Sequence, residues 1–141
     1  MSNNVAPKPL ALIVEDEALV ALSMEDVLLQ SGFDVVLAAT KQEAMQYDAH
    51  SLTILIVDLF LNGELAGQHI IRFFRRTRPQ LPVVVVTGFH ADAPQASLHG
   101  LGTPIARLHK PDHLDALVPA AWTAIHQAEF GDHWLPGCSS E

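Results

Sequence analysis

Three stretches of this chain, "PLALIV" (9–14), "LTILIVD" (52–58) and "LPVVVVT" (81–87), stay apolar almost throughout, and apart from Thr53 any polar residue comes at the close. A strand with one wet face alternates apolar and polar residues. A strand that does not alternate is buried on both faces. Sheets buried on both faces are typically parallel, because parallel strands need long crossovers that lay helices over the two surfaces.

The intervening segments supply those crossovers. From Ala18 to Ser31, Leu19, Leu22, Val27 and Leu28 recur at helical spacing, and Gly32 closes the pattern. "DVVLAA" (34–39) reads as a second strand, and residues 41–49 as a short helix. After the 52–58 strand comes a loop with Asn62, Gly63 and Gly67, then a helix carrying Ile70, Ile71, Phe73 and Phe74 that Pro79 stops. The Gly- and Pro-rich stretch 88–104 is expected to hold a short helix around 93–98. "IARLHK" (105–110) reads as a fifth strand. A last helix follows Asp112, with Leu114, Leu117, Val118, Ala121, Trp122 and Ile125 on its core face; Pro119 is expected to kink it or split its start. Five strand–helix alternations predict an α/β fold, a doubly wound five-stranded parallel sheet. Ligands of such sheets bind outside the carboxyl ends of the strands.

The chain's 141 residues suit one domain, and 49% hydrophobic residues suffice for a core. The net charge of −8 disfavours non-specific contact with nucleic acid or anionic membrane. Arg72, Arg75, Arg76 and Arg78 cluster, and are expected to form a solvated helix face. The single cysteine, Cys138, supports neither a disulfide framework nor a thiolate zinc site. Eight scattered histidines give no ligand spacing, and no Gly-x-x-x-x-Gly-Lys loop occurs. With no apolar run of membrane-spanning length and no signal-peptide pattern, the expected location is the cytoplasm.

The first strand runs into three consecutive acids, Glu15, Asp16 and Glu17. Glu17 reads as a first-turn acid favoured by the helix dipole. Glu15 and Asp16 end strand one, Asp58 ends strand three, Thr87 strand four and Lys110 strand five, so all five meet at one sheet edge. Clustered carboxylates repel, and a hard divalent cation such as Mg²⁺ turns that repulsion into attraction, with Lys110 assisting. An Asp beside Mg²⁺ and Lys is also a nucleophile able to take a phosphoryl group.

In "IVEDE", "LIVDLFLNGELAG", "VVVVTG" and "LHKPDHLDAL", in that order, the chain resembles the receiver domain of two-component response regulators, from about Pro9 to Glu129. The resemblance implies a (βα)5 flavodoxin-like domain of strand order 2-1-3-4-5. Asp58 matches the phosphoacceptor, and Thr87 and Lys110 the hydroxyl and lysine that serve it. Glu15, Asp16, Asp58 and the backbone carbonyl of Phe60 match the Mg²⁺ site. The Lys110–Pro111 peptide is typically cis in this family. The implied division is an N-terminal extension (1–8), a receiver domain (9–129) and a tail (130–141). The implied function is that of a single-domain response regulator, a signalling protein rather than an enzyme. It takes its phosphoryl group from a sensor histidine kinase or a histidine phosphotransfer protein, and passes its signal by protein contact or phosphorelay. The downstream target and any homodimer stay open. The alternatives are a degenerate receiver that binds a partner without phosphorylation, and an Asp-nucleophile phosphohydrolase. The latter normally carries a second Asp where this chain has Phe60.

The chain also departs from the pattern. The loop from Asp58 to Gly67 is one residue longer than the family pattern, and Leu61 is followed by Asn62 where many receivers have Pro. Arg107 occupies the place of a switch aromatic, and is expected to stay solvated or to pair with an acid. "VVTGF" resembles a subgroup, mostly of stand-alone receivers, whose fourth strand ends in a Phe-Ala-Thr-Gly-Tyr-like motif. Phe60 and Phe89 are expected to flank the acceptor, and the tail is expected to be a frayed terminus, the alternative being that Phe130 and Trp134 dock on the domain or on a partner.

Overall fold

The computed structural model describes residues 7–130. Its elements are β1 (Leu10–Val14), α1 (Ala18–Gln30), β2 (Asp34–Ala38), α2 (Lys41–Ala44), β3 (Ile54–Val57), β4 (Phe60–Leu61), β5 (Glu64–Leu65), α3 (Gly67–Thr77), β6 (Val83–Thr87), β7 (Ile105–His109) and α4 (His113–Phe130). Single 3-10 turns lie at Ala49–Ser51 and Pro94–Ala96. The main sheet is parallel throughout, in the order β2-β1-β3-β6-β7. Counting only its own strands, that is 2-1-3-4-5, the doubly wound order expected.

Alternate residues of the central strands feed two cores. Leu12, Val14, Leu55, Val57, Val83 and Val85 pack against Ile70, Ile71 and Phe74 of α3. Ala11, Ile13, Ile54, Ile56, Val84 and Val86 pack against Met24 and Leu28 of α1 and Leu117, Ala121 and Ile125 of α4. β3 is completely buried, which is why its sequence shows no alternation.

Several local expectations need correction. α1 buries Ala21, Met24 and Leu28, whereas Leu19 is 81% exposed and Leu22 50% exposed. This helix is apolar on more than one side, so spacing alone did not select the buried stripe. Its end is as expected: Gly32 (φ +94°) donates to Leu29 O, and Phe33 donates to Leu28 O, a Schellman closure. The expected 41–49 helix stops at Ala44. α4 runs through Pro119 without a break.

No helix forms around 93–98; that segment makes only the turn at Pro94–Ala96. Gly100 and Gly102 take positive φ, and the Thr103–Pro104 peptide is cis. Arg75 explains how so irregular a segment is held. Its guanidinium is buried and donates to Leu101 O (2.6 Å), Leu81 O (2.8 Å) and Pro104 O. Burial lowers the Arg75 pKa, yet guanidinium remains the charged form at any ordinary pH. Arg78 donates to Ala49 O (3.1 Å) and to Leu52 O. The arginine cluster is therefore not a solvated face; two of its four members tie loop carbonyls to α3. Phe130 is 56% exposed, whereas the expectations for residues 1–6, Trp134 and Cys138 fall outside the described residues.

Candidate functional site

Register brings the site together. Val14 lies opposite Val57, so the next residues, Glu15 and Asp58, leave the sheet side by side. Thr87 lies opposite His109, so Lys110 follows one step beyond it. The Lys110 amide donates to Thr87 O (2.8 Å), extending the ladder past the strand, and the Lys110–Pro111 peptide is cis as the resemblance implies. α3 begins hard against the same edge. A Cβ added at Gly67 would sit 2.6 Å from Asp58 O and 2.6 Å from Leu59 Cα, so only glycine lets the helix start there.

The side chains converge. Lys110 Nζ contacts Glu15 Oε1 at 2.8 Å and Asp58 Oδ2 at 2.9 Å, with Glu17 Oε1 further out at 3.6 Å. Asp58 Oδ1 accepts from the Phe60 amide (3.2 Å) and Glu15 Oε2 from the Glu17 amide (3.1 Å). Oxygens of Glu15, Asp16 and Asp58 lie within 4.8 Å of one another. Thr87 is fully buried, and its Oγ1 accepts from the Phe89 amide (3.1 Å). Around these groups lies an open crevice of about 510 Å³. Phe60 and Phe89 line it and meet edge to face, centroids 6.1 Å apart. All five polar residues expected at this edge are thus present together.

The charges are mutually dependent. Burial raises the Glu15 pKa, and the hydrogen bonds from Lys110 and the Glu17 amide only partly offset it. Burial alone would lower the Lys110 pKa, but its hydrogen bonds to Glu15 and Asp58, and their charges, outweigh burial and raise it. Three carboxylates face one ammonium here, leaving an excess of negative charge in a partly dry crevice. Hard oxygen donors so disposed suit a divalent cation.

Glu17 stands at the N-cap of α1 rather than in its first turn, and makes no side-chain cap bond. Arg107 departs from expectation. It is half-buried, its Nη1 is enclosed without a hydrogen-bond partner, and no acid pairs with it among the described residues. It shares a strand face with Ile105, which packs against the core that the 88–104 segment helps to cover.

Two features escaped the sequence reading. Asn62 and Gly63 both take positive φ (+53° and +81°) between β4 and β5, so the loop is a two-residue hairpin of type I′. The Asn-Gly pair was the available signal. The second is a stacked pair, His90 and His109, with centroids 5.0 Å apart and His109 Nε2 3.2 Å from Gly88 O. Nothing in local spacing joins them; only the pairing of Thr87 with His109 does.

The comparisons agree with this geometry. A family model described as the response regulator receiver domain matches residues 11–119. Response regulator Rre1 of Synechocystis sp. is 32% identical over 112 residues, covering 76% of this chain and 48% of that protein. The chain therefore spans about half the length of that relative. A CheY-like receiver domain protein from Methanospirillum hungatei JF-1 superposes with a TM-score of 0.76 at 21% identity, over 87% of this chain and 98% of that one. The non-phosphorylated HemR receiver domain of Leptospira biflexa superposes at 0.73 with 26% identity, over 84% and 94% respectively. Fold, strand-edge chemistry and sequence match coincide, and the chain belongs to the response regulator receiver domain family.

Proposed function

We propose that this protein is a response regulator receiver that accepts a phosphoryl group on Asp58. The donor is the phosphohistidine of a sensor histidine kinase or a histidine phosphotransfer protein, and the output passes by protein contact or onward transfer. The observation that carries this reading is Lys110 Nζ, held 2.9 Å from Asp58 Oδ2 and 2.8 Å from Glu15 Oε1 at the floor of an open crevice.

Asp58 Oδ attacks phosphorus while the P–N bond of the donor breaks. The electron pair leaves on the imidazole nitrogen, which takes a proton from solvent. Asp58 is only 7% exposed, so its carboxylate is already largely stripped of water. Lys110 holds it in place and keeps its charge after transfer, becoming a donor to the phosphoryl oxygens. The Thr87 hydroxyl, at the end of the adjacent strand, is a second donor. Glu15, Asp16, Asp58 and the Phe60 carbonyl would hold Mg²⁺, whose charge neutralises the transferring phosphoryl group. Phe60 occupies the position where an Asp-dependent phosphohydrolase needs its acid, which supports a self-modifying domain over turnover of external substrates.

Incubation with acetyl phosphate and Mg²⁺, followed by intact mass, tests the reading. A transient adduct of one phosphoryl group should form on the wild type and not on Asp58→Asn. An adduct of equal yield on Asp58→Asn, or none on either, overturns it. The absence of any adduct while partner binding persists would favour a receiver that acts unphosphorylated.

A further inference from the structure

Of the three clustered acids, Asp16 is held differently. Glu15 and Asp58 are buried and share Lys110, whereas Asp16 is exposed and has no Lys or Arg partner among the described residues. An exposed Asp without a partner samples several rotamers, and a ligand that rotates must be ordered when the ion arrives. Yet Asp16 is anchored. Its Oδ2 accepts from the backbone amide of Asn62 at 2.9 Å, across 46 residues of sequence.

Asn62 is in turn tied down. Its Nδ2 donates to Ala39 O (3.0 Å), just past the end of β2. The Ala39 amide donates to Glu43 Oε1 (2.7 Å), and the Glu43 amide to Thr40 Oγ1 (3.1 Å), the N-cap of α2. The hairpin could form with Asn-Gly alone. Neither the bond to Ala39 nor the aim of the amide at Asp16 is needed to close it. The same hairpin begins with Phe60, so only Leu61 separates the proposed carbonyl ligand from the anchor of the exposed carboxylate.

We propose that Asn62 is a positioning residue for the divalent cation. Its backbone amide fixes one oxygen of Asp16 and leaves the other for the ion, and its side chain locks that amide to the end of β2. This inference rests on the reading above that Glu15, Asp16 and Asp58 bind Mg²⁺. Asn62 does not touch the ion; it acts through Asp16, as outer-shell partners of metal ligands do.

The test is Mg²⁺ titration of the full chain, followed by amide chemical shifts at fixed ionic strength, without any phosphodonor. Asn62→Ala loses the tether and places a Cβ residue at φ +53°, where side chains other than Asn and Asp are disfavoured. It should weaken the Mg²⁺ Kd about tenfold. Asn62→Gly accepts that φ and keeps the amide but not the tether, and should recover part of the loss. With acetyl phosphate, both variants should need more Mg²⁺ for half-maximal rate while reaching the wild-type maximum, a split that general loosening of the fold would not give. Circular dichroism confirms that each variant is folded. A wild-type Kd for Asn62→Ala, with Asp16→Ala losing binding, overturns the inference and leaves the metal reading standing. A wild-type Kd for Asp16→Ala overturns the metal reading itself.

Discussion

The crevice has a floor and a side wall built by different means. The floor is the ends of β1 and β3, whose residues Ala11–Val14 and Ile54–Val57 are fully buried. The side wall is residues 88–104, which run from β6 to β7 with a single 3-10 turn and two glycines of positive φ. The floor is held by apolar packing on both faces of a parallel sheet. The wall is held by mixed means: Arg75 donates to Leu101 and Pro104 within it and to Leu81 before β6, Gln68 donates to Gln95 O, and Ala96 and Leu101 are buried in the core. A strand held from both sides fixes its last residue in place. In the wall only Ala96, Leu101 and Pro104 are buried, so it has less packing than the floor to resist rearrangement. The proposed function puts acceptor chemistry on the floor and the expected change in the wall, and that division can be broken experimentally.

The largest effect should come from Arg75→Met. Removing the guanidinium takes its donors from the Leu81, Leu101 and Pro104 carbonyls, of which Pro104 O keeps the Val83 amide, and hydrogen bonds to a charged group contribute about 1.5–3 kcal/mol each. A loss of about 3 kcal/mol is expected by urea denaturation. The floor lies on other strands, so the folded fraction should still take a phosphoryl group on Asp58 at close to the wild-type rate. Loss of phosphorylation in protein shown to be folded would mean that wall and floor are one unit.

The complementary strike is at the floor. Gly67→Ala puts a methyl 2.6 Å from the Asp58 carbonyl and the Leu59 Cα, both backbone atoms that cannot simply swing aside. Overpacking of this kind costs about 2 kcal/mol. Because the displaced backbone carries Asp58, the adduct should form more slowly even where the fold survives. An undiminished rate would show that the start of α3 can retreat without moving the acceptor.

The same contrast decides what the sequence could tell. The floor was readable because its signals are local and cumulative: mostly apolar runs, each followed by or closing on a polar residue, and the fifth strand ending in Lys110 set Glu15, Asp16, Asp58, Thr87 and Lys110 at one edge. The wall was not. Proline and glycine in 88–104 marked irregular chain, but the helix expected at 93–98 did not form, since what orders this segment includes Arg75, 26 residues before Leu101. A cation whose partners are carbonyls leaves no pattern in charge spacing, so Arg75 read as a surface residue. Arg107 failed similarly: solvation or an acid partner was expected, and its Nη1 is instead enclosed without a hydrogen-bond partner. α1 misled for the opposite reason, having more apolar positions than the core uses.

Between floor and wall stands Lys110, joined to Thr87 through its backbone and to Glu15 and Asp58 through its ammonium. Its folded pKa lies above the ordinary 10.5. A group raised in this way contributes stability fully below 10.5 and loses it as pH climbs through the folded value. Wild-type stability should therefore decline in the alkaline range by about 1 kcal/mol, the modest net of attraction over desolvation. Lys110→Met should lack that decline. It should instead weaken from pH 4.5 upward, as a Glu15 now without its cation resists ionisation. Identical alkaline curves for the two proteins would show that the ammonium contributes nothing to the fold.

The smallest effect concerns the contact across the crevice mouth, where one aromatic comes from each side. Phe60 belongs to the hairpin beyond the floor, and Phe89 opens the wall; their rings meet edge to face at 6.1 Å. Phe60 is 45% exposed, so the pair covers the acceptor only in part. An acyl phosphate on Asp58 is lost when water attacks phosphorus in line with the leaving carboxylate oxygen. Apolar rings offer that water no hydrogen bond and narrow its approach. Replacing either Phe by Ser should shorten the adduct's lifetime about threefold, a change of less than about 1 kcal/mol in the barrier. The two rings obstruct one path together, so the double variant should decay little faster than the quicker single one, a non-additivity expected of residues in contact. Decay rates by intact mass after removal of the phosphodonor give the comparison. If both single variants decay at the wild-type rate, the rings do not control water. If the two effects multiply, floor and wall guard the phosphoryl group separately, and their contact at the mouth has no part in it.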